Sequence, residues 1–269
     1  MKGAASFCTV CRIYTSKGIC YMKKEANVFV YLVLVAAVLA TKVLGLVRNM
    51  LLSANYGTGI EASAFTAVSN LPLIVFDVTF GTAISAAFVP VFNEKLTNDG
   101  ERGANRFASN FLNIVLLFSA VLVALGIIFP KAAVMLVAGG FSSDAQALSL
   151  ASSLMRIIMP IICFACGTFI FVGILQSYGE FIAPSLVSLF SNLSMIVYLL
   201  FLNGRYGIHG LAVAFCVGWL FQLLFLVPFL KKKRFHYSPG LDFKSPDIKK
   251  VAVLTLPLFV SALAQPINQ

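Results

Sequence analysis

The chain has 269 residues, of which 59% are hydrophobic and 11% are charged, and its mean hydropathy is +0.93. A soluble domain carries roughly a quarter charged residues, so this composition excludes a water-soluble globular fold. The sequence instead predicts an all-α, polytopic bundle of transmembrane helices. The net charge of +10 does not indicate nucleic-acid binding, because the basic residues lie between apolar runs and do not gather on one solvated face.

Six apolar segments within residues 27–230 are long enough to cross the hydrocarbon core, which needs about 20 helical residues. We expect residues 1–26 to form a cytoplasmic tail, in which Met22 offers an alternative start. Pro72 and Pro160 lie inside the second and fourth segments and predict kinks. The predicted spans are residues 27–52, 62–92, 107–129, 148–176, 181–202 and 207–230, with a polar loop at 93–106, a basic loop at 231–247 and a truncated seventh helix at 248–269. Because a partial span would lack a polar anchor on the far side, we expect the chain to be a fragment.

The basic residues predict the orientation of the chain in the membrane. Fifteen of the twenty Lys and Arg residues fall in the N-terminal tail and in the connections on the same side, and three fall on the other side. Short cytoplasmic loops retain basic residues, so the N-terminus and the 231–247 loop are predicted to be cytoplasmic.

Catalytic chemistry is not indicated, because the chain has no cluster of acids, histidines or a nucleophile with its base. The two cysteine pairs, Cys8 with Cys11 and Cys163 with Cys166, lack the further ligands that a zinc site needs. The two histidines are predicted on opposite faces of the membrane. No catalytic residue, metal site or cofactor is therefore predicted.

Polar groups inside the spans are the candidates for function. Charged side chains at this depth usually face a cavity or a partner. Along the second span the residues Ser63, Thr66, Asn70, Asp77, Gly81 and Ser85 recur at spacings of three, four and seven, which places them on one stripe of a helix. The candidate substrate-binding residues are Arg48, Lys42, Asp77, Asn70 and Ser63, around a hydrated cavity that receives an anionic headgroup. The alternative is structural, with Asp77 pairing to Lys42 or Arg48 and Arg48 reaching toward the interface.

A family resemblance is carried by several motifs in order along the chain. The sequence Lys42-Val-Leu-Gly-Leu-Val-Arg48 is followed by Leu154-Met-Arg-Ile-Ile-Met-Pro160, Gln176-Ser-Tyr-Gly-Glu-Phe-Ile-Ala-Pro184, Asn192-Leu-Ser-Met195, Gly210-Leu-Ala212, Gly218, Gln222 and Pro228. From about Lys24 onward the chain resembles the MurJ (MviN) family of lipid II flippases, within the multidrug/oligosaccharidyl-lipid/polysaccharide superfamily.

This resemblance implies a bacterial inner-membrane transporter of two helical lobes and fourteen spans, of which this chain holds the N-terminal lobe. The implied substrate is lipid II, the undecaprenyl-pyrophosphate-linked peptidoglycan precursor, moved by alternating access during cell wall biogenesis. Arg48 matches the cavity arginine of the family's first helix, and Lys42 stands where another basic residue is usual. The implied partners are lipid II, membrane lipids and the missing C-terminal lobe.

Four residues depart from the family pattern and keep alternatives open. Ser63 and Gly81 stand in place of acids, and Phe76 with Asp77 stands in place of paired arginines. A relative that handles another polyprenyl-linked oligosaccharide is one alternative, and a drug or cation antiporter that uses Asp77 is a second. A third is a non-transporting product, either an inactive fragment or a module that holds a biosynthetic complex at the membrane.

The predicted orientation is tested by a single cysteine at Ser238, in the 231–247 loop, after removal of the six native cysteines. Because the charge count places this loop in the cytoplasm, a membrane-impermeant maleimide should label Ser238→Cys only after the cells are opened. Rapid labelling in intact cells would place the loop outside the cytoplasm and contradict the predicted orientation.

Overall fold

The computed structural model describes residues 28–81, 83–137 and 144–264, and every regular element in these ranges is a helix. Residues 1–26, predicted as the tail, and the last five residues of the seventh span lie outside the described residues. The α-helices are α1 (Val28–Tyr56), α2 (Ile60–Phe76), α3 (Val89–Asn98), α4 (Gly100–Ile128), α5 (Pro130–Val137), α6 (Ala145–Ile158), α7 (Ile161–Ser177), α8 (Ile182–Phe201), α9 (Asn203–Lys232) and α10 (Pro246–Ala264).

The prediction of an all-α membrane bundle is confirmed. In the described part of the chain, four helices are long and apolar enough to cross a membrane: α1 from Leu32, α4, α8 and α9. The consecutive helices α6 and α7 are together long and apolar enough for a further span, and the pair is bent by 41° where the chain passes Pro160. Proline removes a backbone donor and crowds the preceding turn, which accounts for a break at the predicted position.

The second predicted span is built from several pieces. The helix α2 keeps Pro72 in its interior and then continues as two π-helical segments, Asp77–Gly81 and Ala83–Phe88, before α3 begins. π-Helical turns are rare and often occur at functional sites. The segment is held by buried aromatic rings, since the Phe88 ring stacks on Phe111 of α4 with 4.8 Å between centroids.

The predicted polar loop at 93–106 is wrong, because these residues are helical. The helix α3 runs to Asn98 and α4 begins at Gly100, so Asp99 alone connects them. Gly100 adopts a φ of +70°, a conformation that suits glycine and allows the tight turn. The charged residues support the helix end, since Lys95 bonds Asp99 one turn later at 2.8 Å.

The core of the bundle lies between α2, α4, α6, α7 and α9, whereas α1 packs almost only against α8. Helices α8 and α9 form the most extensive helix pair, and Gly218 of α9 lies against the backbone of Ser191 in α8. A Cβ atom at Gly218 would lie 2.8 Å from the Ser191 Cα, so only glycine permits this approach. The placement of α1 therefore depends on what it contacts along α8.

Side chains of α4 bind an extended segment between α9 and α10, residues 234–242, which we call the strap. Asn110 exchanges two hydrogen bonds with the backbone of Asp242, donating to its carbonyl at 2.9 Å and accepting from its N–H at 2.7 Å. Asn113 donates to the Gly240 carbonyl at 2.8 Å, and Ser109 accepts from the Ser238 N–H at 3.0 Å. The strap thus obtains its backbone partners from one face of α4.

Ion pairs fasten the start of α10 to α3 at the same end of the bundle. Lys95 contacts Asp247 at 3.1 Å, and Lys250 pairs with Glu94. Lys95 donates hydrogen bonds to the carboxylates of Asp99 and Asp247, and these bonds raise the pKa of its ammonium. Exposed ion pairs of this kind contribute little to stability individually. The hydrogen bonds of the strap hold the same end of the bundle in a defined geometry.

The strap contacts are tested by Asn110→Ala, with Asn98→Ala as the matched control. Asn110 supplies both backbone partners of Asp242, so its truncation should speed hydrogen exchange of the Asp242 amide by about tenfold or more. Asn98 lies at the exposed end of α3, and its truncation should leave that amide unchanged. Equal exchange rates in Asn110→Ala and the parental protein would show that the strap is held by other contacts.

Candidate functional site

Arg48 lies on the half-buried side of α1 and is held by two asparagines. Its Nη1 donates to Oδ1 of Asn192 on α8 at 3.2 Å, while Nε and Nη2 donate to Oδ1 of Asn49 at 3.1 and 2.9 Å. Neither partner is charged. Among the described residues Arg48 forms no ion pair, so its positive charge is hydrogen-bonded but not neutralised.

The contacts of Arg48 leave part of the guanidinium available. A guanidinium has five N–H donors, and three of them are used by Asn49 and Asn192. One N–H on each terminal nitrogen therefore remains without a partner in the described part of the chain. These two donors are available to the oxygens of a phosphate or carboxylate.

Asn192 is anchored at both ends of its amide. It accepts from Arg48, and its Nδ2 donates to the carbonyl of Thr41 on α1 at 3.4 Å. The side chain is buried, and Gly45 of α1 faces it without obstruction, since a Cβ there would lie 3.9 Å from Nδ2. Asn192 therefore links α8 to two residues of α1, Thr41 and Arg48.

The other candidate residues lie on exposed faces of the lobe. Lys42 is exposed on α1, and Ser63, Asn70 and Asp77 are exposed along α2 and the start of the first π-helical segment. The opposite face of α2 is buried, through Ala64, Phe65, Val68, Leu71, Pro72 and Phe76. The residues Ser63, Thr66, Asn70 and Asp77 of the predicted polar stripe are therefore turned away from the core.

Arg48 and Asp77 do not form the ion pair that the structural alternative required, and neither do Lys42 and Asp77, among the described residues. Distance along each helix from the α1–α2 turn accounts for the missing pair between Arg48 and Asp77. At 1.5 Å per residue, Arg48 lies about 12 Å from Tyr56 at the hairpin turn, whereas Asp77 lies about 26 Å from Ile60 on the other side of that turn. Asn70, at about 15 Å, is the candidate at the depth of Arg48.

Sequence reasoning missed Asn192 and Asn49 as partners of Arg48. Asn192 belongs to a motif that carried the family resemblance, but no local pattern connects it with a residue 144 positions earlier. Asn49 directly follows Arg48, and helical neighbours are rarely expected to share a hydrogen bond.

A cavity of about 1220 Å³ in the described part of the chain has none of these residues in its lining. It lies between the strap and the turn from α3 to α4, and its lining includes Arg102, Arg106 and Asn105. A second cavity, of about 590 Å³, is lined mainly by apolar residues of α8 and α9. None of the five candidate substrate-binding residues lines either cavity, so their site is an open surface of the lobe.

Comparison with solved structures defines the class of protein. The chain is similar to a structure of lipid II flippase MurJ in an inward closed conformation, with a TM-score of 0.71 and 27% identity over 88% of this chain and 49% of that one. It also matches the fold of a MATE structure, with a TM-score of 0.66 and 17% identity over 87% of this chain and 52% of that one. The fold is that of the N-terminal lobe of a multi-pass membrane transporter. The family model described as lipid II flippase MurJ matches residues 52–269, and the chain belongs to this family.

Curated relatives agree with this assignment. The chain is 27% identical to a probable lipid II flippase MurJ of Buchnera aphidicola, covering 85% of this chain and 44% of the relative. It is 29% identical to the lipid II flippase MurJ of Burkholderia cenocepacia, covering 84% and 45%. The chain therefore spans a little under half the length of these relatives.

Proposed function

We propose that the chain is the N-terminal lobe of a flippase that moves lipid II across the bacterial plasma membrane by alternating access. Membership of the MurJ family supports this function, as does the similarity to a MurJ structure. The partner of the lobe is a C-terminal lobe, because alternating access needs two halves that move about a shared site. The charge count supports a cytoplasmic N-terminus.

The observation that carries the substrate assignment is the state of Arg48. A guanidinium at this depth is costly, by about 2.5 to 3.5 kcal/mol on insertion scales. Here its partners are the neutral amides of Asn49 and Asn192, which orient the group without cancelling its charge. An anionic ligand supplies the missing charge, and the pyrophosphate of a polyprenyl-linked sugar presents suitable oxygens.

The remaining candidates have supporting roles in this proposal. Asn70 lies near the depth of Arg48 and offers a neutral amide to the sugar or phosphate. Lys42 lies about 9 Å further from the α1–α2 turn than Arg48, so with a cytoplasmic N-terminus it adds positive charge nearer the inner leaflet, from which the substrate enters. Ser63 and Asp77 mark the two ends of the polar face of α2, while the polyprenyl tail remains in lipid.

The proposal is tested by substituting Arg48 in the gene as it occurs in its genome and measuring growth of a strain depleted of its own flippase. Losing a charge-assisted contact to a phosphate costs about 1.5 to 3 kcal/mol, or roughly ten- to a hundredfold in affinity. Arg48→Ala should therefore abolish complementation at normal protein levels in the membrane. Arg48→Lys keeps the charge but loses the planar pair of donors and should complement partially.

A matched control and a double substitution sharpen this test. Arg205 is exposed at the start of α9, beside the Tyr206 ring, and Arg205→Ala should complement fully. Because Arg48 and Asp77 form no ion pair, the double variant Arg48→Ala, Asp77→Ala should grow no better than Arg48→Ala. Recovery of growth in the double variant would support a structural ion pair between Arg48 and Asp77 and would contradict a role of Arg48 in substrate binding.

A further inference from the structure

Asn192 is the buried polar residue of α8 that contacts Arg48. We propose that Asn192 is a positioning residue, which holds the Arg48 guanidinium so that its two unused N–H groups face the phosphate of the ligand. The inference rests on the function proposed above and extends the site from α1 and α2 to α8. Asn192 acts through Arg48 and makes no contact with the ligand itself.

Burial and orientation of the amide support this role. Asn192 is 7% exposed, and both of its polar atoms are used by α1. The orientation of the amide is fixed by its partners, since the Arg48 N–H requires an acceptor and the Thr41 carbonyl requires a donor. A reversed amide would place its N–H groups against the guanidinium, so the side chain has one satisfactory arrangement.

The spacing of the two partners on α1 adds a mechanical constraint. Thr41 and Arg48 are seven residues apart, which is two turns or about 10.5 Å of helix on one face. One amide that reaches both levels restrains the rotation of α1 about its axis, together with the hydrogen bonds between Asn203 and the C-terminal residues Asn55 and Tyr56. Because α1 packs almost only against α8, this rotation decides where the Arg48 guanidinium points.

The chemical type of the residue matters as well. An asparagine accepts a hydrogen bond from the guanidinium but carries no charge, so the attraction for an anionic ligand is retained. A carboxylate at this position would bind the guanidinium more strongly and would cancel its charge. The proposal therefore predicts different effects for an apolar and an acidic replacement.

The test is a double-mutant cycle on the protein produced from its native gene and held in lipid nanodiscs. The probe is farnesyl pyrophosphate, with farnesol as the uncharged control, and thermal unfolding of each variant is followed in parallel. Asn192→Leu should weaken binding of farnesyl pyrophosphate by about tenfold, through loss of one oriented contact. The double variant Arg48→Ala, Asn192→Leu should bind no more weakly than Arg48→Ala, because Asn192 acts only through Arg48.

Asn192→Asp keeps the volume and the acceptor for Arg48 but neutralises the guanidinium charge, and like Asn192→Leu it loses the donor to the Thr41 carbonyl. It should weaken binding of farnesyl pyrophosphate at least as much as Asn192→Leu. Parental affinity in either Asn192 variant would overturn the inference, and so would a double variant that binds clearly more weakly than Arg48→Ala.

The failure of the proposed function has a different signature. In that case the parental protein would bind farnesyl pyrophosphate no better than farnesol, or Arg48→Ala would bind it as the parental protein does. Either result would show that Arg48 does not bind the pyrophosphate, and the positioning role of Asn192 would then be overturned as well. Non-additive unfolding temperatures of the Arg48 and Asn192 variants would then still report their contact.

Discussion

A guanidinium held at bilayer depth by neutral amides is the interaction on which this site depends. Carboxylate partners would have made Arg48 a structural ion pair between helices, whereas Asn49 and Asn192 satisfy its hydrogen bonds and leave its charge. The same contact locates α1, which packs on α8 and on little else. The buried amide of Asn192 therefore helps to position the cation and leaves its charge in place.

The rest of the lobe supplies a rigid base for this loosely attached helix. Bulky side chains of α2, α4, α6, α7 and α9 fill a continuous core, and Gly218 lets α8 and α9 meet at backbone distance. At the end that carries Lys95 and Lys250, the strap and two ion pairs fasten the start of α10. A displacement of α10 would therefore be transmitted to α3 and α4, whereas α1 has few such connections.

Much of this architecture follows from hydrophobicity and length. The spans containing α1, α4, α8 and α9, and the break near Pro160, were predictable because uninterrupted apolar runs and proline act locally. The 93–106 region was not, because charged residues are compatible with helices that extend beyond the membrane, and only Gly100 marks the turn. The π-helical segments and the strap depend on packing between residues distant in sequence.

The candidate site also contains residues that the sequence predicts and residues that only the packed structure reveals. Arg48 and the polar stripe of α2 were identified from sequence because charge inside an apolar run is unusual. The absence of a pair between Arg48 and Asp77, among the described residues, could have been derived from their depths on either side of the hairpin turn. Asn192 could not, because its role exists only once α8 is packed against α1.

The central claim is that Arg48 and the polar face of α2 are exposed to water and not to lipid. It is tested most directly by nitroxide labels at Thr66 and Asn70, on the exposed polar face, and at Phe118 and Val121, on the exposed apolar face of α4. Collision rates with a water-soluble nickel chelate and with oxygen distinguish water from lipid at each label. The account predicts that the nickel chelate dominates at Thr66 and Asn70 and oxygen at Phe118 and Val121. Dominance of oxygen at all four positions would contradict it.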